Sequence, residues 1–200
     1  MRSAEDEVDS SPDQSEAGRR RTPRVRLVGI RPEYAVLCWQ WRNEPRARQF
    51  NPFEPLSIEE LAGRLGAAGG DLRNQSFRAY RWLVEVDEHG FIGTVSIRAN
   101  WRMLHGEIGY QIGERWSRRG FGGAAVATLI DTAFADSTLR RLFATISIGN
   151  EASRRIVRRL GFIHEGTLRR HHLIEGRYVD QWIYGLLREE WAAAENRTGK

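Results

Sequence analysis

Residues 107–134, EIGYQIGERWSRRGFGGAAVATLIDTAF, decide the fold, because an alternating run passes through a Gly- and Arg-rich loop straight into a helix. Glu107-Ile108-Gly109-Tyr110-Gln111-Ile112 alternates polar or small with apolar, as a strand does, while residues 124–134 are Ala-rich with apolar residues at helical spacing. Between them stands Arg118-Arg119-Gly120-Phe121-Gly122-Gly123. Glycines let backbone N–H groups converge on one point, and a helix N-terminus adds unpaired N–H groups and partial positive charge. The junction therefore suits an anion, most naturally a pyrophosphate, with Arg118 and Arg119 as charged donors. A glycine-relaxed helix entry with solvated arginines reads the same residues without a ligand. The run is neither GxxxxGK[ST] nor GxGxxG before an acidic strand end, which argues against a P-loop and a dinucleotide site.

Outward from this junction the chain alternates between the two periodicities. On the C-terminal side, residues 141–147 read as a strand, and Asn150 caps a helix that runs to Leu160, with Gly161 as its left-handed stop. Residues 162–173 and 178–187 then form a hairpin about Glu175-Gly176-Arg177. On the N-terminal side, residues 25–30 are a first strand and residues 33–42 an apolar helix started by Pro32 and stopped by Asn43 and Pro45. Ser57-Ile58-Glu59-Glu60 is a capping box, so a second helix runs to about Gly66. Residues 82–86 and 92–97 flank Asp87-Glu88-His89-Gly90 as a hairpin, and residues 107–112 extend it to a three-strand meander. Strand, helix, strand about Gly120 implies a right-handed crossover and hence one parallel pair in an otherwise antiparallel sheet.

Composition bounds the rest. Two hundred residues, 40% hydrophobic and 28% charged, suit one α/β (α+β) domain. Residues 1–18 carry six acidic side chains against one arginine, so they hold −5 and the remainder +10 of the chain's net +5. Residues 1–22 read as a disordered acidic tail, 23–191 as the domain and 192–200 as a C-terminal tail. Lys200 is the only lysine beside thirty arginines, a bias that coding composition explains as well as function does. The single cysteine, Cys38, excludes a disulfide framework and reads as a buried thiol. With no apolar run of membrane-spanning length and no signal-peptide core, a cytoplasmic protein without a membrane partner is the expectation.

Three spaced motifs carry a resemblance: Ser117-Arg118-Arg119-Gly120-Phe121-Gly122; Asn150-Glu151-Ala152-Ser153 with Leu160-Gly161-Phe162; and Glu165-Gly166-Thr167-Leu168-Arg169 with Gly176-Arg177-Tyr178-Val179-Asp180. With Trp41-Arg42-Asn43 and Pro45, they make residues 24–190 similar to the GNAT superfamily of N-acetyltransferases, in its RimJ/RimL-like branch. The resemblance implies a mostly antiparallel sheet with a central splayed parallel pair, flanked by helices. It implies acetyl-CoA as acyl donor, held by Tyr110, Gln111, Ile112, Arg118, Arg119, Gly120, Phe121, Gly122, Gly123, Asn150 and Ser153. Ser117 stands where the family has Gln or Arg, and Val157 stands where many members have a proton-donating Tyr. Ser153 is then the remaining candidate acid; it equally suits a bond to pantetheine or to its own helix.

Glu107, Gly109 and Gln111 share a strand face. If that face meets the acceptor, Glu107 is the candidate base, with His105 as the weaker alternative; otherwise it is an edge carboxylate paired with an arginine. Phe50 and Asn51, beside Phe53, are expected in the acceptor wall by the resemblance. One of His171 and His172 is expected near the acceptor and not at a metal, since adjacent strand residues point apart. Asp180 is expected either to orient the amine or to pair with Arg177. The acceptor implied first is a protein or peptide N-terminal α-amine; an aminosugar, antibiotic or polyamine is the alternative, and a homodimer is left open. A non-catalytic acyl-CoA-binding module and a nucleic-acid binder are the rival classes. No nucleic-acid motif supports the latter.

Overall fold

The computed structural model describes residues 23–198, so the expected acidic tail of residues 1–22 lies outside the described residues. Seven strands form one sheet: β1 (Arg26–Gly29), β2 (Ala79–Val86), β3 (Gly90–Asn100), β4 (His105–Ile112), β5 (Arg141–Ser147), β6 (Ile163–Ile174) and β7 (Arg177–Leu187). Their order is β1-β2-β3-β4-β5-β7-β6, antiparallel except for β4 beside β5. Six α-helices flank it among the described residues: α1 (Ala35–Arg42), α2 (Pro45–Phe50), α3 (Ile58–Gly66), α4 (Phe121–Ala135), α5 (Glu151–Arg159) and α6 (Arg188–Thr198).

Alternation along the strands divides the molecule into two layers of core. One sheet face carries Trp82, Val95, Ile97, Ile108, Leu142, Ala144 and Ile146 against α4 and α5. Helix α4 is buried on several sides, with Ala124, Ala125, Val126, Leu129, Ile130 and Ala133 all at 6% exposure or less, which explains its small and apolar sequence. Leu83, on the opposite face, packs with Cys38, Trp41, Leu61 and Leu65 of α1 and α3. The Ser57 capping box forms as its spacing predicts: the Ser57 hydroxyl accepts from the Glu60 amide at 3.1 Å, and the Glu60 carboxylate accepts from the Ser57 amide at 2.7 Å.

Two local expectations are corrected. Asn43 ends α1, but Pro45 does not merely stop a helix; it sits at the first turn of α2, where its missing N–H costs nothing. Residues 192–200 are not simply a tail, because α6 carries the chain to Thr198. Arg188 anchors that helix, its guanidinium donating to the carbonyls of Leu139, Ser137 and Phe134. Trp191 Nε1 adds a bond to the Asp131 carboxylate at 2.9 Å.

Candidate active site at the splayed strands

The parallel pair is short. His105, Gly106 and Glu107 align with Arg141, Leu142 and Phe143, and beyond them β4 keeps its β3 partner while β5 turns to β7. A gap therefore opens between β4 and β5 from Ile108 onward, with backbone groups on the β5-facing edge of β4 lacking a ladder. Tyr110 and Ile112 point to the α4–α5 side of that gap, where both pack on the larger core. Glu107, Gly109 and Gln111 point to the other side, sharing a face with Leu83, Thr94 and Ser96 across the sheet.

The loop on the α4 side is built from left-handed residues. Arg118 has φ 61° and Gly120, the residue before α4, has φ 86°. The non-glycine at Arg118 costs of order 1–2 kcal/mol, so the turn is held by its surroundings. Alternation of such residues turns successive N–H groups inward, and the first turn of α4 at Phe121, Gly122 and Gly123 adds N–H groups with no intrahelical acceptor. Arg118 and Arg119 are exposed; Arg119 also lies over the Trp116 ring at 5.3 Å, which in turn stacks on His89 at 4.5 Å. Phe121 is a core residue. The glycines divide in role. A Cβ at Gly122 would press on Ile156 Cδ1 of α5 at 3.0 Å, so the helix packing there is tight, whereas a Cβ at Gly123 meets open space. These features fit a diphosphate: converging amides, free cations at the rim, and room above Gly123.

Asn150 caps α5, its side-chain oxygen accepting from the Ser153 amide at 3.2 Å. Ser153 lies one turn into α5, and its carbonyl accepts from the Tyr110 hydroxyl at 3.2 Å across the gap. Burial pushes the Tyr110 phenol up to about 12, so it is a neutral donor that ties β4 to α5. Val157 is fully buried and belongs to the core.

On the opposite side, the Glu107 carboxylate is held at both oxygens. Thr145 of β5 donates to Oε1 at 2.9 Å, and Arg98 of β3 pairs with Oε2 at 3.0 Å. The Glu107 side chain remains 24% exposed, and each oxygen keeps a second lone pair for a further donor. The Gln111 amide donates to the Trp41 carbonyl, fastening α1 to β4. Further along, Gln181 of β7 donates to the Ser147 hydroxyl at 2.9 Å and Ser147 donates to the Phe50 carbonyl at 2.6 Å. That buried relay seats the end of α2 over β5. Phe50 thus borders the site beside Gly149 and lines an open depression of about 630 Å³, while the Asn51 amide is spent on the Ala47 carbonyl at 2.8 Å.

The closing hairpin departs from regular alternation. Leu168 aligns with Gln181 but His172 with Val179, so β6 bulges between them. Arg170 takes φ 51° at the bulge and its amide donates to Asp180 Oδ1 at 2.7 Å. Asp180 therefore pins the bulge and is not paired with Arg177. Because the bulge interrupts the pleat, the adjacent rings of His171 and His172 stack at 4.7 Å instead of pointing apart. His171 is exposed; His172 is half-buried on the face of Val179 and Gln181, with Nδ1 buried and without a hydrogen-bond partner. Burial, then repulsion from His171, pulls its imidazole below the ordinary value, against an upward pull from Glu107.

Of the residues named from sequence, the structure gathers Tyr110, Ile112, the 118–123 loop, Asn150 and Ser153 on one side of the gap. Glu107 and Phe50 lie on the other, with Asp180 as a brace and His171 at the rim. Sequence reasoning missed Arg98, Thr145, Ser147 and Gln181, and left open which of His171 and His172 faces the site. A signal existed for Gln181, a polar residue inside the apolar run of β7; Thr145 and Arg98 become visible only once strand register is known.

Comparison with known proteins agrees with this geometry. Residues 24–163 match the family described as Acetyltransferase (GNAT) domain. An uncharacterized N-acetyltransferase p20 of Bacillus licheniformis is 31% identical over 160 residues, 78% of this chain and 88% of that protein. The [ribosomal protein uS5]-alanine N-acetyltransferase of Escherichia coli is 26% identical over 178 residues, covering 84% of this chain and 88% of its own. Among solved structures, Mycobacterium smegmatis RimJ in complex with CoA-disulfide superposes with TM-score 0.73 at 21% identity, covering 89% and 90% of the two chains. Spermidine N-acetyltransferase from Vibrio cholerae in complex with CoA and spermine superposes at 0.75 and 19% identity, covering 84% of this chain and 98% of that one. At these identities the last two speak to the fold alone. No helix among the described residues is long and apolar enough to cross a membrane, and no group of three or more His, Cys, Asp or Glu there is placed to hold a metal.

Proposed function

The chain belongs to the GNAT family of N-acetyltransferases, and from that premise we propose that it transfers acetyl from acetyl-CoA to the N-terminal α-amine of a protein or peptide. The observation that carries this reading is Glu107: a carboxylate oriented by Thr145 and Arg98, on the face of the β4–β5 gap opposite the glycine cradle. The peptide acceptor draws support from the relative named for acetylating an alanine of ribosomal protein uS5. A small-molecule amine is the second reading, favoured by the fold shared with a spermidine enzyme.

Bound acetyl-CoA supplies the acetyl group as a thioester; the chain supplies position and proton transfer. Amides of the 118–123 loop and the guanidiniums of Arg118 and Arg119 bind the diphosphate. The unpaired edge of β4 from Tyr110 to Ile112 hydrogen-bonds the pantetheine amides and stabilises negative charge at the acyl oxygen. Holding the amine and the acyl donor on opposite sides of one gap makes attack effectively unimolecular. Glu107 takes the proton from the amine, directly or through a water. Ser153, one turn into α5 on the cofactor side of the gap, offers the hydroxyl from which the leaving sulfur regains a proton.

A mass-spectrometric screen of free-amine peptides, aminosugars, aminoglycosides and polyamines with acetyl-CoA tests the acceptor. Acetylation at peptide α-amines is expected. Turnover confined to small amines would overturn the peptide assignment.

A further inference from the structure

The acceptor side of the gap holds more positive charge than its carboxylates neutralise. Arg81 of β2 is level with Ser96 of β3 and Gly109 of β4, so it stands on the Glu107 face one step from the Arg98–Glu107 pair. Its side chain is partly buried, and among the described residues no carboxylate lies within ion-pair distance and no acceptor takes a bond from its guanidinium. Cys38 of α1 lies within electrostatic reach and would offset its charge if ionised. Burial pushes that thiol up to about 11, so it stays neutral.

Arg42, at the end of α1, faces the same region. Its guanidinium donates to the Glu54 carbonyl at 2.9 Å and covers the Phe53 ring at 4.2 Å, both uncharged partners. Glu54 itself is paired with Arg64 at 2.9 Å. Arg42 lies within the electrostatic reach of Arg81, Arg64 and Arg48, and Arg81 within that of Arg98 and Arg64. Five cations, Arg42, Arg48, Arg64, Arg81 and Arg98, thus meet three paired carboxylates: Glu54 with Arg64, Glu107 with Arg98 and Glu175 with Arg48. Desolvating a cation without a counter-charge costs several kcal/mol in general, and a planar guanidinium fork fits a carboxylate or phosphate better than anything else. Such a surplus beside an amine site attracts an anion and repels a polycation.

We propose that Arg81 and Arg42 form an anion subsite beside Glu107, so that the acceptor carries a negative group close to its amine: in a peptide, an acidic residue at the second or third position. This rests on the peptide reading above and narrows it. The α-amine lies at Glu107, and the carboxylate at the second or third position reaches back along β3 and β2 to Arg81. The same site disfavours spermidine, whose charges are all positive.

The test uses the full chain with acetyl-CoA and peptides that differ only at positions two and three, as Asp-Asp, Ala-Ala or Lys-Lys, with phosphoethanolamine and spermidine alongside. The acidic peptide is expected to exceed the neutral one in kcat/KM by about tenfold, with the basic peptide and spermidine below both. Arg81→Gln should collapse the acidic-to-neutral ratio towards one; Arg42→Gln, at a helix end, is the second variant should the first fold poorly. Arg26→Gln, whose partners are Glu85 and Asp87 at the far sheet edge, should keep the ratio. Calorimetry of the acidic peptide in the presence of CoA reads the subsite without turnover. Binding without acetylation would fault the peptide function and leave the subsite standing. Peptide turnover with no acidic preference, or a preference that survives both variants, overturns the subsite. A preference for phosphoethanolamine over every peptide keeps the anion and overturns the peptide.

Discussion

Thr145 donates its hydroxyl hydrogen to Glu107 across the mouth of the gap, two residues after β5 has parted from β4. It is a side-chain bond that replaces the next rung of the ladder, and it fixes which way the carboxylate faces. Glu107→Gln keeps the shape and can still accept from Arg98 while donating to Thr145, but it loses the charge and cannot take a proton, so turnover at neutral pH should fall by about a hundredfold with CoA affinity unchanged. The loss should narrow at high pH, where free amine is abundant. Thr145→Val should cost about tenfold, since it removes one neutral-to-charged hydrogen bond and not the base. Near-normal turnover of Glu107→Gln would make the residue structural.

The two glycines at the start of α4 separate ligand binding from packing. Gly123→Asp places a negative side chain in open space over the cradle, so CoA affinity should be lost while the melting temperature stays close to wild type. Gly122→Asp additionally collides with Ile156 and should lower stability as well. Calorimetry with CoA and a thermal melt of each variant distinguish them; unchanged CoA affinity in folded Gly123→Asp would sink the cradle.

Ser147 is a buried junction between β7, β5 and α2. Ser147→Ala leaves the Gln181 amide and the Phe50 carbonyl without their partner, which should destabilise by about 1–3 kcal/mol in urea denaturation. Gln181 is 1% exposed, so water does not replace the bond. A variant as stable as wild type would show that the relay contributes nothing net.

His172 makes stability depend on pH in a definite direction. Its imidazole lies below the ordinary value in the folded protein, chiefly through burial, so the unfolded chain binds the proton more readily. Its contribution is complete above the unfolded value of about 6.5 and is lost as pH falls from there towards the folded value. The melting temperature should therefore drop on acidification through that window, and His172→Asn should flatten the drop. Parallel profiles for the two proteins would contradict it.

Much of the fold was legible because local patterns agreed with one another. The alternating run of residues 107–112, the left-handed Gly161, the Ser57 capping box and the Asn150 cap each occur where their spacing predicts. What was not legible depends on partners distant in sequence. Pro45 reads as a stop until Glu44 and Glu114 are seen bracing the start of α2, each carboxylate accepting an amide hydrogen from the other's segment at 3.0 and 2.6 Å. The β6 bulge depends on Asp180, ten residues from the amide it accepts from. Glu107 could be read as base or as ion pair; the structure gives it an arginine and leaves it partly exposed, so pairing does not close it to a substrate.

The three-rung parallel pairing has a mechanical consequence. It makes the sheet a book whose spine is only residues 105–107 against 141–143, with one leaf of four strands and one of three. Side-chain stitches then hold the open edge: Tyr110 to Ser153 on one cover, Thr145 to Glu107 on the other. Anything lodged between the leaves touches both, so its grip becomes a brace on the whole sheet.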